Sequence, residues 1–529
     1  MKYLRAPRGW GADNSPLSDA PPALRVPDPS PGEGNDVNPA AEHRPAPSDS
    51  LVSDEPLIPA DSNPVAAPVR LAKAPSLRRR IATRLLRSLI AVLVGSLVLR
   101  LAAQTMTQMI QFHLEGISER YYYISYTTRG YVLASFFLTE LLGALVLGAL
   151  SDRYGRRLFI ILGPLLGALA VQITSMTILI WLLVITRMLA GLSTGSAIPA
   201  TLGYISEATV GRPSLRARII GFFDLTLVGG TAVGAIAGGY LWKFFGDPRT
   251  IAGIQLVSPA FSINALIYLV SLAIFVWGLR DVRRPAPETE DQVVPHLAAA
   301  RKKLGHYWEI VKSPAVWMFI PAWVSIFAII GLWTNNSVGL MTGKDHFRGQ
   351  LLTGTIAPEK YGNGFATLAF FFAVGLLVWS FVLARYRKTS VMLVSTAALF
   401  ALLLTVYALN HLDSFSSPFY YALLGALLIE VLVLSGFTPA ALTYLADATE
   451  SYTADRGSIM GLYSVFLGVG QLAGTALGGR FAQWNGVDGL LLISGVFGAI
   501  TAFSLIALQR WEPPSTLKTP VQGEALPQI

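Results

Sequence analysis

The strongest constraint on this chain is a segment that it contains twice. Residues 199–246 align without a gap to residues 439–486 at a constant offset of 240 positions, and 15 of the 48 aligned pairs are identical. The identical pairs include a proline, a tyrosine, an arginine and several glycines, and Glu207 faces Asp447 in the same register. Two unrelated apolar helices would share leucine and valine rather than these residue types. The chain is therefore predicted to consist of two homologous halves.

The composition places both halves in a membrane. Apolar residues make up 53% of the chain and charged residues 14%, whereas soluble domains carry about 25% charged residues. The chain has no cysteine, which excludes disulfide bonds, thiol chemistry and cysteine-based metal sites. Its net charge of +9 comes from basic residues in short loops between apolar segments, a pattern that membrane topology explains better than nucleic-acid binding does. We expect no nucleic-acid partner, no metal and no organic cofactor.

The first 80 residues differ from the rest of the chain. Of the 32 prolines, 15 lie within the first 75 residues, and no apolar periodicity accompanies them, so residues 1–80 are predicted to form a disordered Pro-rich tail. From about residue 86 onward, twelve apolar segments are each long enough to cross a hydrocarbon core of about 30 Å. These spans lie near residues 86–112, 129–150, 157–177, 179–206, 216–244, 254–279, 314–341, 363–384, 389–410, 417–446, 457–483 and 487–509.

The twelve spans form two groups of six. Residues 81–279 are predicted to form an N-terminal six-helix bundle and residues 314–510 a C-terminal one, with a cytoplasmic linker at 280–313. If both termini lie inside, 26 Lys and Arg residues fall on the inner side and eight on the outer side. This bias predicts a cytoplasmic N-terminal tail and a cytoplasmic C-terminal tail at 511–529, in a multi-pass protein of the plasma membrane. The predicted fold class is an all-α membrane protein.

A compact charged motif lies in the loop between spans 2 and 3. It reads Gly148-Ala-Leu-Ser-Asp152-Arg153-Tyr-Gly155-Arg156-Arg157. The pattern G-x-x-x-D-R-x-G-R-R in this loop, together with twelve spans in two repeated halves, resembles the major facilitator superfamily over about residues 86–510. The resemblance implies two pseudo-symmetric six-helix bundles around a central cavity, alternating access, and a cytoplasmic gate built on this loop.

The residue types of the motif also suit a gate on physical grounds. Gly148 permits close helix approach, Asp152 can accept hydrogen bonds at a helix N-terminus, and the arginines can pair with acids at other helix ends. The acid and the arginine that complete the gate in the family match Glu207 and Arg216, whereas Ala384 replaces the motif's aspartate in the second half. Alternatively, the arginines only set the topology. The predicted gate residues are Gly148, Asp152, Arg153, Gly155, Arg156, Glu207, Arg216, Arg385, Asp447 and Arg456.

Spans 4 and 5 carry small residues at helical spacing, which suits close helix packing. Span 4 reads Arg187-Met-Leu-Ala-Gly191-Leu-Ser-Thr-Gly195. The glycine ladder of span 5 consists of Gly230, Gly234 and Gly238. Exporters of the family have a similar arginine segment in span 4 and the pattern G-P-x-x-G-G in span 5. Because Ala235 stands where that proline would be, the sequence favours export only slightly.

Span 1 presents the clearest polar stripe. Arg100, Gln104, Gln108 and Gln111 are four, four and three residues apart, so they share one helical face. In lipid such a face must point into the protein. Spans 3, 6, 9 and 12 have no charged residue in their apolar cores, and in the family these spans face lipid. The predicted substrate and coupling cavity consists of Arg100, Gln104, Glu140, Arg187, Asp224, Glu430, Gln471 and Asn335.

The charged members of this set allow two interpretations. In the functional one, the arginines bind an anionic group of the substrate and a carboxylate carries the coupling proton, because a desolvated carboxylate can hold a proton near neutral pH. In the structural one, the charges pair with one another, for example Arg100 with Glu140.

The sequence thus predicts a secondary active transporter that moves a small organic solute by alternating access. We expect a monomer driven by a proton gradient, with a slight preference for export. A sugar or organic-acid importer on the same fold and a non-transporting sensor or scaffold are the alternatives. A proton gradient is expected as the driving force, because the spans contain titratable carboxylates and the chain lacks the nucleotide-binding pattern G-x-x-x-x-G-K-[ST]. An enzyme is not expected, because the six histidines form no paired cluster.

Overall fold

The computed structural model describes residues 75–251, 253–279, 314–448 and 456–511. The predicted linker and nearly all of the two predicted tails lie outside these ranges. The described part of the first half contains α1 (Pro75–Arg120), α2 (Tyr126–Tyr154), α3 (Arg156–Thr174), α4 (Ile180–Ala208), α5 (Pro213–Phe245), an antiparallel hairpin of β1 (Arg249–Ile251) and β2 (Ile254–Leu256), and α6 (Pro259–Gly278). The last residues of the predicted tail already belong to α1.

The described part of the second half contains helices and loops but no strand. It contains α7 (Pro314–Thr342), α8 (Pro358–Val382), a short 3-10 helix (Leu383–Arg385), α9 (Lys388–Asn410), α10 (Pro418–Leu434), α11 (Phe437–Ala448) and α12 (Arg456–Trp511). Spans 1 to 9 correspond to α1 to α9, and α10 and α11 together form span 10.

Prolines and glycines determine where many of these helices begin and break. Proline is the first residue of α5, α6, α7, α8 and α10, where its missing N–H costs no helical hydrogen bond. Gly155 separates α2 from α3 with φ of 101°, a conformation that favours glycine. Gly486 has φ of 56° and interrupts α12 together with Asn485. The interruption divides α12 into spans 11 and 12.

The predicted number of spans is confirmed. Within the described ranges, eleven helical segments are long and apolar enough to cross a membrane. The last of these, residues 464–511, is 48 residues long, which is about twice the length that one crossing requires. Because Asn485 and Gly486 interrupt it, this segment accounts for two crossings and brings the total to twelve.

Each half has its own hydrophobic core. In the first half α1 packs against α5 and α6, and α4 packs against α2 and α3. In the second half α7 packs against α12, and α9 packs against α10, α11 and α12. The buried apolar side chains form one cluster in each half, except that Tyr126 of α2 joins the cluster of the second half. The spans are therefore arranged as two six-helix bundles.

The repeated glycines explain why the two halves share a packing pattern. A Cβ atom added at Gly230 of α5 would lie 2.6 Å from the Cβ of Arg100 in α1. In the second half, a Cβ atom at Gly470 of α12 would lie 2.9 Å from the Cβ of Phe327 in α7. Both distances are too short for a side chain, so glycine is required wherever these helices cross. The segment that recurs in the sequence thus includes the helix that packs against the first helix of each bundle.

The helices end on two faces, which we name by their loops. The even-loop face carries the loops that follow spans 2, 4, 8 and 10, and the odd-loop face lies opposite. Contacts between the halves join α2 to α12, α5 to α8 and α1 to α7.

The halves meet toward the odd-loop face. A Cβ atom at Gly130 of α2 would lie 2.9 Å from the Cα of Gly479 in α12, and the backbone N–H of Tyr126 donates to Oε1 of Gln483 at 2.7 Å. Two ion pairs of 2.8 Å flank this contact and also join the halves, namely Lys243 with Glu359 and Lys344 with Glu119. These contacts lie near the odd-loop ends of their helices and close the molecule there.

The closure predicts the effect of Gly130→Leu. The leucine side chain would hold α2 and α12 apart, so a cysteine placed at Thr334 should react faster with a membrane-impermeant maleimide added at the odd-loop face. A change of about tenfold would correspond to about 1.4 kcal/mol in the opening equilibrium. The chain has no native cysteine, so labelling is unambiguous. Gly364→Leu is the control, since a Cβ atom at Gly364 meets no atom within 4 Å. Equal rates in both variants would contradict the prediction.

Candidate functional site

Three charged residues from three helices of the first half form a charge cluster. Glu140 of α2 interacts electrostatically with Arg100 of α1 and with Arg187 of α4. Arg100 and Glu140 are half-buried, and Arg187 is only 1% exposed. Among the described residues, neither arginine forms a hydrogen bond or ion pair with Glu140, so the charges are close without being directly paired. The sequence grouped these three residues only because each is charged and lies within a predicted membrane span.

Glycines in α4 determine the position of Arg187. A Cβ atom at Gly195 would lie 2.8 Å from the carbonyl oxygen of Glu140, and one at Gly191 would collide with the carbonyl oxygen of Phe136. The two helices therefore run in backbone contact, and the Arg187 guanidinium carbon lies 4.7 Å from the centre of the Phe136 ring. Nε and one terminal nitrogen of Arg187 are buried without a hydrogen-bond partner. Attraction to the ring offsets part of the cost of burying this charge.

Tyr268 of α6 joins the cluster, although the sequence did not indicate it. Its side chain is 2% exposed and interacts electrostatically with both Arg100 and Arg187. Its ring occupies the space beside Gly167 of α3, where an added Cβ atom would collide with it. Span 6 was expected to face lipid, and only the packing of α6 on α1 and α3 shows that this tyrosine points inward.

The structure does not bring Asp224 and Glu430 to the charge cluster. Asp224 of α5 is exposed. Glu430 of α10 accepts a hydrogen bond of 2.8 Å from the hydroxyl of Thr405 in α9, and its other oxygen is buried without a partner. The rotation of α10 decides this placement, because it turns Glu430 toward α9 rather than toward the first half.

The remaining polar residues of the predicted cavity lie at helix crossings. Gln104 is half-buried, and its Cβ would lie 2.8 Å from a Cβ at Gly234. Asn335 of α7 donates from Nδ2 to the carbonyl oxygen of Gly331 at 3.0 Å and to the hydroxyl of Thr475 in α12 at 3.4 Å. Gln471 is half-buried, and its backbone packs against Gly331.

Arg156 is the centre of the predicted gate in the first half. It forms an ion pair with Asp152, and its Nε lies 3.2 Å from Oε1 of Glu207. It also donates to the hydroxyl of Ser151 at 2.8 Å. The guanidinium lies against Gly203 of α4, where a Cβ atom would be 2.5 Å from Nε. Arg156 thereby ties α4 to the loop between α2 and α3.

The other gate residues of the first half support the same loop. A Cβ atom at Gly148 would lie 3.4 Å from the Cβ of Pro199 in α4. The Arg153 guanidinium carbon lies 5.6 Å from the centre of the Tyr154 ring. Arg216 donates to the hydroxyl of Thr209 at 3.3 Å and to the carbonyl oxygen of Ser206 at 3.2 Å, and thus caps the end of α4.

In the corresponding loop of the second half, Asp447 has a basic partner that is not among the predicted gate residues. Asp447 lies 3.3 Å from Nζ of Lys388, whereas Arg385 ends the short 3-10 helix and is exposed. The side chain of Arg456 lies outside the described part of the chain. The ion pairs of Arg156 lie within the first half, and the pair of Lys388 with Asp447 lies within the second.

Sequence reasoning missed a buried ion pair between Glu115 of α1 and Arg129 of α2. Arg129 also donates to the carbonyl oxygen of Ile124 at 3.0 Å. A Cβ atom at Gly343 would lie 2.8 Å from the Glu115 carboxyl carbon, so the pair faces the second half. The predicted span 1 ended at residue 112, before Glu115, and Arg129 was the first residue of the predicted span 2. Glu115 nevertheless follows Gln111 by four positions and continues the polar stripe, which was the available signal.

The comparisons with known proteins agree with this architecture. The family model of the Major Facilitator Superfamily matches residues 81–358 and 351–528. The chain belongs to the major facilitator superfamily. It is therefore a secondary transporter and a multi-pass membrane protein, and not an enzyme.

Individual relatives differ in the solutes that their names mention. Multidrug resistance protein 1 of Bacillus subtilis (strain 168) is 24% identical over 434 residues, which cover 78% of this chain and 92% of that protein. The class C tetracycline resistance protein of Escherichia coli is 33% identical over 179 residues, which cover 33% of this chain and 40% of that protein. Sugar transporters match over shorter stretches.

Solved structures agree on the fold. The structure of a bacterial homolog of the human lysosomal transporter Spinster matches with a TM-score of 0.59 and 15% identity, and the match covers 81% of this chain and 99% of that one. At this identity the likeness concerns the fold alone.

The Glu115–Arg129 pair predicts a large effect of Arg129→Gln on stability. The substitution leaves the Glu115 carboxylate buried without its partner, which costs about 3–5 kcal/mol. Thermal unfolding of the purified protein in detergent should show this loss. Lys344→Gln is the control, because Lys344 is 79% exposed and an exposed pair contributes about 0–1 kcal/mol. Similar shifts in the two variants would show that the buried pair is unimportant.

Proposed function

We propose that this transporter couples export of a small organic solute to proton entry, with Glu140 as the proton-carrying group. The observation that supports this most directly is that Glu140 lies near Arg100 and Arg187 without being hydrogen-bonded to either. A carboxylate in that position is stabilised by positive charge, yet it can gain or lose a proton without breaking an ion pair.

The charge of the cluster suggests how the exchange operates. With Glu140 ionised the three side chains carry a net charge of one positive unit, and protonation raises it to two. A solute group that donates a hydrogen bond to the Glu140 carboxylate binds only while this carboxylate is ionised. Protonation of Glu140 then releases the solute. Proton and solute thus occupy the site alternately, which is the requirement for antiport.

The relatives support export over import. The match to a multidrug resistance protein extends over 78% of this chain, whereas an arabinose-proton symporter matches over 22%. Import of a sugar or organic acid together with a proton is the second candidate. Import would be the expected direction for an anionic solute, because such a solute binds the two arginines best when Glu140 is protonated.

We further propose the orientation, the membrane and the oligomeric state in which the protein functions. The even-loop face lies in the cytoplasm together with both termini, in the plasma membrane, and the protein acts as a monomer in the bilayer without a metal or organic cofactor. The basic residues of the even loops support this orientation. The ion pairs of Arg156 then belong to a cytoplasmic gate that is open while the odd-loop face is closed.

The coupling proposal predicts the outcome of transport assays in liposomes. Accumulation of tetracycline in proteoliposomes should require an acidic lumen if the transporter is an antiporter, whatever its orientation in the bilayer. Glu140→Gln should abolish this accumulation, because glutamine neither carries the coupling proton nor offers the ionised carboxylate to which the solute binds. The control is Asp413→Asn, an exposed carboxylate in the loop after α9. Accumulation that needs an alkaline lumen, with tetracycline or with arabinose, would instead establish import.

The gate proposal predicts the effect of Glu207→Gln. In the gate proposal Glu207 gains a further contact with the second half when the even-loop face closes, so loss of its charge should weaken the closed state, since a hydrogen bond to a charged group contributes about 1.5–3 kcal/mol. Spin labels on cysteines at Arg212 and Tyr386, which are exposed on that face in opposite halves, report the opening. The distance distribution should shift to longer values in Glu207→Gln and not in Asp413→Asn. An unchanged distribution would leave these arginines with a topological role only.

A further inference from the structure

We propose that Gln108, Gln111 and Asn335 form a hydrogen-bonding subsite that binds a donor group of the solute, either a hydroxyl or a protonated amine. The inference rests on the transport function proposed above and concerns a part of the solute that the charge cluster does not contact. It also identifies the chemical class of that part.

The three amide side chains are buried and incompletely hydrogen-bonded. Gln108 is 1% exposed, and neither its Oε1 nor its Nε2 has a partner. Gln111 is 3% exposed and Asn335 is 2% exposed, and the amide oxygen of each lacks a partner. Native proteins pair the large majority of buried polar groups. Three buried amides with unpaired atoms on two helices that contact each other therefore require an explanation, and a ligand that completes them provides one.

The hydrogen bonds that do exist determine which atoms are free. Nε2 of Gln111 donates to the carbonyl oxygens of Thr107 and Thr334, both at 3.1 Å. Nδ2 of Asn335 donates to the carbonyl oxygen of Gly331 at 3.0 Å. Only an amide nitrogen can donate to a carbonyl oxygen, so both amide orientations are assigned by their surroundings. The free atoms of these two residues are carbonyl oxygens, which accept hydrogen bonds.

The subsite lies where the two halves of the molecule meet. The hydrogen bond from Gln111 to Thr334 crosses from α1 to α7, and Asn335 is the next residue of α7. Gln108 lies on the same stripe of α1 as Arg100, and eight residues of helix separate the two by about 12 Å. A Cβ atom at Gly238 would lie 2.8 Å from the Cβ of Gln108, so α5 packs directly against the base of the Gln108 side chain. A solute that contacts both the subsite and the charge cluster must therefore span about 12 Å.

The free atoms define the chemistry of the ligand. Free carbonyl oxygens attract N–H and O–H groups and repel carboxylates and phosphates. Gln108 adds both an acceptor and a donor, which suits a hydroxyl group in particular. The same donor groups can bind the ionised carboxylate of Glu140. The subsite thus favours a neutral or cationic solute over an anionic one.

Thermal unfolding of the purified protein tests the subsite with three four-carbon probes. Erythritol carries hydroxyls, butylamine a protonated amine, and butyrate no donor at all. Erythritol or butylamine should raise the unfolding temperature of the wild type, and butyrate should not, because only a ligand that binds the native state stabilises it. The donor probe that gives the shift identifies the ligand class. Stabilisation by neither donor probe, or by butyrate equally, would overturn the proposal.

Gln108→Leu distinguishes a ligand-binding role of Gln108 from a purely structural one. Leucine removes an unpaired buried amide, so the unliganded variant should unfold at a higher temperature than the wild type and should lose the shift caused by the donor probe. Gln172→Leu is the matched control, because the Gln172 amide donates to the hydroxyl of Ser175 at 3.2 Å. It should lower the unfolding temperature and keep the shift. A less stable Gln108→Leu, or one that keeps the shift, would overturn the proposal.

Glu140→Gln distinguishes failure of the subsite from failure of the coupling mechanism. Glu140 is not part of the subsite, so this variant should still be stabilised by the donor probe even though proton-driven accumulation is lost. If accumulation persists while the probe shift depends on Gln108, only the coupling proposal fails.

Discussion

Backbone contact between paired helices is the interaction on which the rest of this structure depends. In a bilayer the hydrophobic effect does not drive helices together, so their association relies on close van der Waals packing and on interhelical hydrogen bonds. The glycine ladder of α5 lets this helix lie directly on α1, and the repeated glycines of α12 do the same on α7. Each bundle is thus assembled on one such pair, which explains why the glycines recur at a constant offset.

The same close packing determines where charge can be buried. Gly191 and Gly195 bring α4 onto α2, and this contact places Arg187 over the Phe136 ring and near Glu140. Buried charges without direct partners are costly. Such groups suit a transporter, because a side chain that lacks hydrogen-bond partners in one state is available to bind a proton or a solute.

Within the described residues, the ion pairs at the two faces of the molecule differ in what they join. The odd-loop face is closed by contacts between the halves, among them the approach of Gly130 to Gly479 and the ion pair of Lys344 with Glu119. On the even-loop face, Arg156 pairs with residues of its own half. Alternating access would exchange these roles, because the halves can rock only if one set of contacts between them is released before the other forms.

The sequence by itself determined the features that depend on composition and spacing. The repeat, the apolar segment lengths and the loop motif predicted twelve spans in two halves, because a bilayer imposes segment length and the repeat imposes symmetry. The stripe of α1 followed from helical periodicity. Close packing was also predictable where glycines recur every four residues, as at Gly230 and Gly234.

Only the tertiary structure decided which residues meet across helices. Helix rotation and tilt are set by packing against neighbours, and one sequence does not specify them. Glu430 therefore turned toward Thr405 rather than toward the charge cluster, and Tyr268 reached the arginines from a span that was expected to face lipid. The Glu115–Arg129 pair depended on α1 continuing to Arg120, beyond the predicted end of span 1. Length and periodicity act along one helix, whereas a binding site is made between helices.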